Sequence, residues 1–332
     1  MIENEIFINK KIWKNFNEQE LEEYKDKVFD YYRRKGFPYF YLTDLQYSKE
    51  FKKIKQFRIN SLVKPDNILS QNMLGLNVVN SFMPHMWSTK TLGFKTPMDT
   101  FINDDLFKKA IDKRIKYGDN ISDAGIRKVL SWSQGTHRVS NFRPTIAKYL
   151  YNTYGGEVNL DFSSGYGGRL FGFLGSDKTD TYIGVEPNLK TYNGLLYLAA
   201  TFKHDKKIIL YNEAFEDLEL DVKVDFSFSS PPYFNTEEYA YDDKQSFVRY
   251  RNAHEWREKF LKVLINKNFE LLKEEGIFAI NIANVRTYSN LEEDTIEISK
   301  ETGFKLIKTY KMALSNLHGS GFKYEPIFIF KK

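Results

Sequence analysis

Short apolar segments alternate with amphipathic helical segments throughout residues 158–332, and this alternation constrains the fold more than any other feature of the sequence. We predict strands at 158–162, 180–186, 207–212, 223–230, 277–284, 304–314 and 325–332, and helices at 188–203, 255–276 and 291–303. Such alternation is typical of a parallel sheet with helices on both faces. The turn-forming stretch "SNLHGSGFKY" predicts that the last two strands form a hairpin, so one of them runs antiparallel. The expected fold is α/β, a Rossmann-type doubly wound sheet of about seven strands.

Residues 1–137 have a different pattern and predict a mostly helical module. Helices are indicated at 17–36 and 104–118, with a loop-like stretch at 81–100 between them. A length of 332 residues accommodates a large α/β domain and a smaller module. We therefore divide the chain into a helical module, 1–137, and an α/β domain, 138–332.

Several classes of protein are excluded by composition. The sequence contains no cysteine, which excludes disulfides, thiolate zinc sites and a cysteine nucleophile. No apolar run approaches the roughly 18 residues of a membrane span, and the first fifteen residues lack the apolar core of a signal peptide. We expect a soluble, cytoplasmic protein without a membrane partner.

Positive charge is concentrated in the first part of the chain. Residues 1–140 hold 24 Lys and Arg against 17 Asp and Glu, a net charge of +7, whereas the whole chain carries +5. Most of the excess lies between Arg33 and Arg58, beside the aromatic residues of 31–41. Basic residues mixed with aromatic ones suit contact with nucleic-acid phosphates and bases. A solvated helix face beside a small aromatic core explains the pattern equally well.

Two strand ends carry residues that suit a nucleoside-containing cofactor. After the strand that ends at Asp161, Gly165 and Gly167 lead into a helix, and glycines there allow close approach of backbone N–H groups to a ligand. Glu186 ends the next strand, where a carboxylate can accept both hydroxyls of a ribose. A plain glycine turn or an acidic helix cap would explain either feature alone, but together they favour ribose binding.

The third and fourth strands end in two further stretches of interest. Glu213, Ala214 and Phe215 follow the third strand, in a position that suits an adenine ring or an ordinary loop. The fourth strand ends in the tetrapeptide Ser230-Pro231-Pro232-Tyr233. Ligands of open α/β sheets bind at the carboxyl ends of the strands, so all these stretches are predicted to share one edge. A serine hydroxyl and a proline carbonyl can accept hydrogen bonds from one NH₂ group, and a tyrosine ring can stack on a planar base.

With these motifs, the sequence resembles the S-adenosylmethionine-dependent amino-methyltransferases of DNA, which produce N4-methylcytosine and N6-methyladenine. "DFSSGYG" resembles their cofactor loop, "VEPN" their ribose acid, "SPPY" their catalytic motif, and "VSNFRPTIAKYL" (139–150), with Phe142 and Pro144, their additional cofactor helix. The loop departs from the family pattern, in which Asp-Pro-Phe is usual, because this chain has Asp161-Phe162-Ser163. The resemblance covers residues 139–332 and implies the class I methyltransferase fold.

The resemblance also implies a cofactor, a partner and a set of site residues. The cofactor would be S-adenosylmethionine, with S-adenosylhomocysteine as product and no metal, and the partner would be DNA with a flipped base. Its implied catalytic residues are Ser230, Pro231, Pro232 and Tyr233. Its implied cofactor-binding residues are Phe142, Asp161, Ser163, Gly165, Gly167, Glu186, Pro187, Glu213, Ala214, Phe215 and Ser230.

Several alternatives remain open at this stage. Among relatives, a serine at the start of the motif favours cytosine N4 over adenine N6. RNA or a protein glutamine could replace DNA as acceptor, although glutamine enzymes usually have asparagine before Pro-Pro-Tyr. A non-catalytic nucleic-acid-binding relative is a further alternative, and the glycine spacing disfavours NAD-dependent oxidoreduction. The polar loop 234–254 is expected over the pocket or as an ordinary surface loop, and target recognition is assigned to the basic N-terminal module. Oligomeric state and recognition sequence are left open.

Overall fold

The computed structural model describes residues 5–317 and 321–332, so part of the predicted hairpin turn, residues 318–320, lies outside the described residues. The described helices are α1 (Lys10–Trp13), α2 (Glu18–Lys35), α3 (Asp44–Gln56), α4 (Leu76–Ser81), α5 (Pro97–Ile102), α6 (Asp104–Lys116), α7 (Asp123–Leu130), α8 (Pro144–Tyr154), α9 (Gly168–Leu174), α10 (Leu189–Thr201), α11 (Ser246–Arg249), α12 (Ala253–Trp256), α13 (Lys262–Leu271) and α14 (Leu291–Thr302). The described strands are β1 (Val63–Lys64), β2 (Ile68–Leu69), β3 (Lys90–Thr91), β4 (Val158–Asp161), β5 (Thr181–Val185), β6 (Lys207–Tyr211), β7 (Val224–Ser229), β8 (Glu237–Glu238), β9 (Leu272–Asn281), β10 (Lys305–Leu317) and β11 (Gly321–Lys331).

The chain forms two compact units, and they do not coincide with the predicted division at residue 137. The first unit comprises the described residues up to Tyr41 together with Pro84–Ser140, and the second comprises Leu42–Met83 and Asn141–Lys332. Residues 42–83 therefore belong to the same unit as the sheet. Their aromatic side chains explain this, because the Phe51 ring lies 4.8 Å from the ring of Phe202 and 6.0 Å from that of Phe171.

The first unit is mostly helical and contains α2 and α6, which confirm the helices predicted at 17–36 and 104–118. A capping box fixes the start of α2, since the Asn17 side chain accepts from Glu20 N and the Glu20 carboxylate accepts from Asn17 N. The core of this unit is largely aromatic, with Tyr32, Trp87 and Phe107 fully buried.

The second unit is built on a sheet whose described strands follow the order β1-β2-β10-β11-β9-β7-β4-β5-β6. Strands β6, β5, β4, β7 and β9 are mutually parallel, and β11 is inserted antiparallel between β9 and β10. The short strands β1 and β2 extend the edge beyond β10. Without them the sheet has the seven predicted strands, in the order and with the antiparallel strand of the class I methyltransferase fold. The predicted fold class is confirmed.

One predicted helix is too long at its carboxyl end. We expected a helix over 255–276 that Gly276 terminates, but α13 ends at Leu271 and β9 begins at Leu272. Leu272 pairs with Val224 of β7, and both side chains are fully buried. Gly276 lies in a tight bend of β9, where a Cβ atom would come within 2.7 Å of the Lys273 carbonyl oxygen. Burial of Leu272 in the sheet overrides the helical pattern of the segment that follows.

None of the helices in the described part of the chain is both long enough and apolar enough to cross a membrane.

Candidate functional site

A cavity lies at the carboxyl ends of the parallel strands of the second unit. It is bounded on one side by the glycine loop that follows β4 and by the end of β5, which we call the glycine-loop wall, and on another by the end of β7, which we call the tetrapeptide wall. Eight residues predicted from the sequence line this cavity: Ser163, Gly165, Glu186, Pro187, Ala214, Phe215, Ser230 and Pro232. The structure therefore brings together residues from four separate strand ends.

Two left-handed glycines shape the glycine-loop wall. Gly165 has φ of +57° and Gly167 has φ of +82°, values that residues with a Cβ atom rarely adopt. At the next position, Gly168, a Cβ atom would lie 1.9 Å from the Phe142 carbonyl oxygen, so the loop and the start of α8 are in direct contact. Glycines at these positions allow the loop to pass close to its neighbours and still face the cavity.

A buried ion pair beneath the loop holds it in place. The Asp161 carboxylate accepts from Arg169 Nε at 2.9 Å, from the Tyr182 hydroxyl at 2.7 Å and from Ser229 Oγ at 2.7 Å. Asp161 is fully buried and Arg169 is nearly so. The Arg169 guanidinium also donates to the Ser163 carbonyl oxygen. The charge of Asp161 thus fixes the loop from below and links β4 to β5 and β7.

Two acidic residues line the cavity, Glu186 and Glu216, and of these Glu216 is paired with Arg249 at 3.4 Å. The two carboxylate oxygens of Glu186 accept from the backbone N–H groups of Gly165 at 2.8 Å and Asn188 at 2.9 Å. The pKa of Glu186 is raised to about 7, chiefly by burial and in addition by the nearby charge of Asp161, whereas the two N–H groups and Arg169 oppose the shift. A carboxylate has about four lone-pair sites. Glu186 can therefore accept further hydrogen bonds from a ligand.

The stretch after β6 contributes an apolar surface to the cavity. Ala214 and Phe215 line it and are almost completely buried. The preceding residue, Glu213, is not part of the lining, and its carboxylate accepts from Lys244 Nζ at 3.1 Å and from Ala214 N at 3.1 Å. Glu213 therefore positions the loop, and the apolar neighbours form the surface.

The tetrapeptide wall follows β7 and ends in a strained residue. Ser230 and Pro232 line the cavity, while Pro231 lies outside its lining. Phe234, next after Tyr233, has φ of +55°, which is unfavourable for a bulky side chain and costs about 1–3 kcal/mol. Its ring is buried against Trp256 and Tyr288, at centroid distances of 6.0 and 6.2 Å. This packing maintains a backbone turn that the residue alone would not adopt.

The hydroxyl group of Ser230 is oriented by Asn281, at the end of β9. Ser230 Oγ donates to Asn281 Oδ1 at 3.2 Å, and Asn281 Nδ2 donates to the Pro326 carbonyl oxygen at 2.9 Å. Since the Pro326 carbonyl can only accept, it fixes the amide nitrogen of Asn281 and leaves the amide oxygen toward Ser230. Ser230 then donates its only hydrogen to Asn281. Its lone pairs remain available to a donor in the cavity.

Tyr233 is held in a similar way by β11. Its hydroxyl donates to Glu325 Oε2 at 3.3 Å. Asn281 pairs with Ile327, and Glu325 lies two residues before Ile327, so Asn281 and Glu325 are on the same face of the sheet. Burial raises the pKa of the Glu325 carboxyl, against the positive charges of Lys323 and Arg143. The outer two residues of the tetrapeptide are thus both supported from the β9–β11 pair.

Six predicted site residues lie outside the lining of the cavity: Phe142, Asp161, Gly167, Glu213, Pro231 and Tyr233. Asp161 and Glu213 have structural partners, and the Phe142 ring packs on Phe228 at 5.4 Å. A direct contact of these six residues with a ligand stays a prediction. Tyr233 belongs to the tetrapeptide wall on its side toward β11.

Several lining residues were not predicted as site residues, among them Tyr239, Lys244, Gln245 and Ser246. All four belong to the polar loop 234–254, which lies over the cavity as one of our two interpretations proposed. Asn281 was also missed, although a polar residue at the carboxyl end of a buried strand was the same signal that identified Glu186. The sequence offers no comparable signal for Glu325. Because β11 is antiparallel to β9, Glu325 does not lie at the carboxyl end of a strand.

The basic and aromatic stretch at 31–58 does not form one exposed surface. Tyr31, Tyr32 and Phe37 are buried in the first unit. Arg33 pairs with Asp104 at 2.8 Å, and Lys35 pairs with Asp123 at 2.9 Å. The rest of this stretch, residues 42–58, belongs to the second unit. This arrangement supports the alternative of a charged helix face beside an aromatic core.

Among the residues the structure describes, no group of three or more histidine, aspartate and glutamate side chains is arranged to hold a metal ion.

No protein-family model matches the sequence, and no curated protein matches it. Among solved structures, the chain is similar to a methyltransferase from Pyrococcus furiosus, with 16% identity and a TM-score of 0.41 over 67% of this chain and 97% of that one. It is also similar to magnesium protoporphyrin IX methyltransferase from Synechocystis with bound S-adenosylmethionine, with 16% identity and a TM-score of 0.40 over 57% and 76% of the two chains. A third similar structure, an S-adenosylmethionine-dependent methyltransferase from Clostridium acetobutylicum, is 12% identical with a TM-score of 0.37, covering 57% of this chain and 89% of that one. We assign the fold from this chain's own strand order, and the names of these proteins do not indicate its substrate.

Proposed function

We propose that this protein is an S-adenosylmethionine-dependent methyltransferase that modifies the exocyclic amino nitrogen of a flipped DNA base. The observation that carries the proposal is the joint lining of one cavity by Gly165, Glu186, Ser230 and Pro232. A nucleoside-binding surface and a surface that accepts hydrogen bonds from an amino group then face the same space. An ordinary strand-end proline turn would not require this coincidence.

The glycine-loop wall fits the cofactor. Glu186 has lone pairs left for the two ribose hydroxyls, and the left-handed Gly165 lets the backbone approach a ligand. Ala214, Phe215 and Phe162 provide an apolar surface for an adenine ring. When bound, S-adenosylmethionine supplies a methyl group on a positively charged sulfur.

The tetrapeptide wall fits the acceptor. An exocyclic amino nitrogen is a weak nucleophile because its lone pair is delocalised into the ring. Ser230 Oγ, with its hydrogen committed to Asn281, and the Pro231 carbonyl oxygen would accept from the NH₂ group and stabilise the positive charge that develops on nitrogen. The two rigid prolines would also hold the acceptor in line with the methyl group.

Two further steps follow from the same chemistry. The amino group is unreachable inside a duplex, so the base must be flipped, and the Tyr233 ring is the group we assign to stack on it. The methylated nitrogen is strongly acidic, so water can take its proton and a strong general base is unnecessary. A thiolate, which carbon-5 methylation of cytosine needs, is absent from the chain.

Cytosine N4 is the preferred target over adenine N6, on the resemblance of a motif that begins with serine. The test is to incubate the protein with isotope-labelled S-adenosylmethionine and unmodified DNA, digest the DNA to nucleosides and identify the labelled one by mass spectrometry. We expect label in N4-methylcytosine. Ser230→Ala should lower kcat by about 100- to 1000-fold.

Ser299→Ala is a matched control, because Ser299 is also a buried serine, with its hydroxyl on the Thr295 carbonyl oxygen in α14. This variant should methylate normally. Label in RNA or in protein, with none in DNA, would overturn the proposed acceptor and retain the cofactor. Failure to bind S-adenosylmethionine would overturn the proposal as a whole.

A further inference from the structure

A lysine-rich surface with two exposed aromatic rings lies on the first unit and consists of residues outside the stretch 31–58 that the sequence singled out. It consists of Lys109, Lys113, Lys116, Tyr117 and Trp132, and we call it the lysine–aromatic surface. The lysines are spaced by four and three residues, which places them on one side of α6 and at its end. The opposite side of α6 buries Phe107, Ala110, Ile111 and Ile115.

The two rings of this surface are available to a ligand. Tyr117 is 65% exposed and Trp132 is 44% exposed. Their centroids are 5.5 Å apart with planes at 75°, and Lys113 Nζ lies 4.4 Å from the Trp132 centroid. A solvent-exposed tryptophan beside a tyrosine and a cation provides a face on which a flat ring can stack.

The charges of this surface are not neutralised within the unit. Of the described carboxylates, none lies within ion-pair distance of Lys109, Lys113 or Lys116, in contrast to Arg33 and Lys35. Asp112 lines the same shallow groove, but its carboxylate pairs with Lys25 at 2.9 Å. Lys25 also pairs with Glu22, so this group of three retains one negative charge, and the groove with its three lysines keeps a net positive charge next to two rings.

We propose that the lysine–aromatic surface binds DNA with unpaired bases, the lysines contacting phosphates and Trp132 stacking on a base. The choice of DNA as the nucleic acid in this inference rests on the proposed function. Its physical basis is separate, since a positively charged groove with aromatic faces suits single strands, in which the bases are free to stack. An acidic protein would satisfy the lysines but leave the exposed rings without a role.

The test uses the full chain and a fluorescein-labelled single-stranded oligothymidine of about 20 nucleotides, with binding followed by anisotropy over a range of salt concentrations. The triple variant Lys109→Ala/Lys113→Ala/Lys116→Ala should bind more weakly. The slope of log affinity against log salt should fall by about 2, since each phosphate contact on a single strand contributes about 0.7. The control triple Lys178→Ala/Lys203→Ala/Lys300→Ala removes the same charge from exposed positions of the second unit and should bind as the unmodified chain does.

Trp132 provides a second readout that a purely structural effect would not change. The other tryptophans, Trp13, Trp87 and Trp256, are buried, so quenching by the oligonucleotide should come from Trp132. Trp132→Phe should lose the quenching but keep most of the affinity. Trp132→Ala should lose both, with affinity lower by about 5- to 100-fold.

The outcomes separate this inference from the proposed function. Equal binding and methylation by the lysine triple variant and the unmodified chain would overturn the inference and leave the function intact. Loss of binding in that variant, with no methyl label in DNA from any form of the protein, would support the surface and overturn the function. The stacking role would be overturned if duplex DNA bound more tightly than the oligothymidine, or if an acidic polypeptide did so without quenching Trp132. Tighter binding of single-stranded RNA than of the oligothymidine would overturn the choice of DNA.

Discussion

The two walls of the cavity are built from different kinds of interaction. The glycine-loop wall is held by charge and by backbone groups, because a buried Asp161–Arg169 pair lies beneath it and Glu186 accepts from two N–H groups. The tetrapeptide wall is held by side chains from β9 and β11 and by a strained residue, Phe234. Contacts in the glycine-loop wall therefore contribute to the stability of the whole sheet. Contacts behind the tetrapeptide wall fix only the orientation of Ser230 and Tyr233.

This difference predicts that damage to the two walls will have different consequences. Substitutions in the glycine-loop wall should change stability or cofactor affinity, because its groups are buried or occupied by the backbone. Substitutions behind the tetrapeptide should change kcat and leave cofactor affinity alone. The five predictions below test this separation.

The largest effect is expected for Asp161→Asn, which removes the carboxylate that pairs with buried Arg169. Leaving a buried charge without its partner costs about 3–5 kcal/mol, so the free energy of unfolding should fall by that amount in urea titrations. The double variant Asp161→Asn/Arg169→Met is the control, since it removes both charges. If the double variant is as unstable as the single one, the ion pair is not what holds the loop.

Asn281→Leu should have the next largest effect, because Ser230 loses the acceptor that fixes its hydroxyl hydrogen. We expect kcat to fall about 20-fold with the dissociation constant of the cofactor unchanged, as measured by single-turnover methylation and calorimetry. Asn281→Asp keeps an acceptor toward Ser230 and should recover part of the loss. A rise in the cofactor dissociation constant in either variant would contradict the separation of the walls.

Glu186→Gln should alter the pH dependence of cofactor binding. The pKa of about 7 means that Glu186 loses its proton as pH rises through neutrality, and the carboxylate is the stronger acceptor for ribose hydroxyls. Affinity of the unmodified chain should therefore increase from pH 6 to pH 8. In Glu186→Gln it should stay level and be about tenfold weaker at pH 8. An unchanged pH profile in this variant would assign the titration to another group.

The raised pKa of Glu186 also affects the free energy of unfolding. Its pH dependence has the opposite sign to that of an ion-paired carboxylate, whose pKa is lowered. Between pH 4.5 and about 7 the folded protein retains a proton on Glu186 that the unfolded chain releases. The contribution of Glu186 to the free energy of unfolding therefore decreases as pH rises over this range and is constant above it. Thermal melts without cofactor should accordingly depend less on pH between 4.5 and about 7 in Glu186→Gln than in the unmodified chain.

The smallest effect is expected for Tyr233→Phe, which removes only the hydroxyl that donates to Glu325. The ring stays available for stacking, so kcat should fall by about threefold, as expected for one hydrogen bond. Tyr233→Ala, which removes the ring, is the comparison and should be far less active. Equal activities of the two variants would show that the ring itself has no role.

The sheet could be predicted from the sequence because its strands are short apolar runs separated by helices of regular period. Glu186, Ser230 and the glycines could be predicted because strand ends in such a sheet meet at one edge. The start of β9 could not, since Leu272 continues a helical pattern and only its pairing with Val224 makes it part of a strand.

Burial was the other property that the sequence did not determine. The aromatic residues near Arg33 and those near Lys113 are similar in composition, but Tyr32 is fully buried and Trp132 is exposed. Helices α2 and α6 contact each other in the first unit, and this contact decides which rings are enclosed. Glu325 was missed for a related reason, because its place beside Tyr233 depends on a strand pairing formed between residues far apart in sequence.

The insertion of β11 between β9 and β10 makes the support behind the tetrapeptide depend on completion of the sheet. Until β11 pairs, β9 has an exposed edge, and neither Pro326 nor Glu325 is in place behind the tetrapeptide. Chains that have formed the parallel strands alone could present the glycine loop but would lack the support for Ser230 and Tyr233. On the proposed function, methylation is therefore an assay for closure of the sheet, and partly folded chains should be recognisable as cofactor binders that do not turn over.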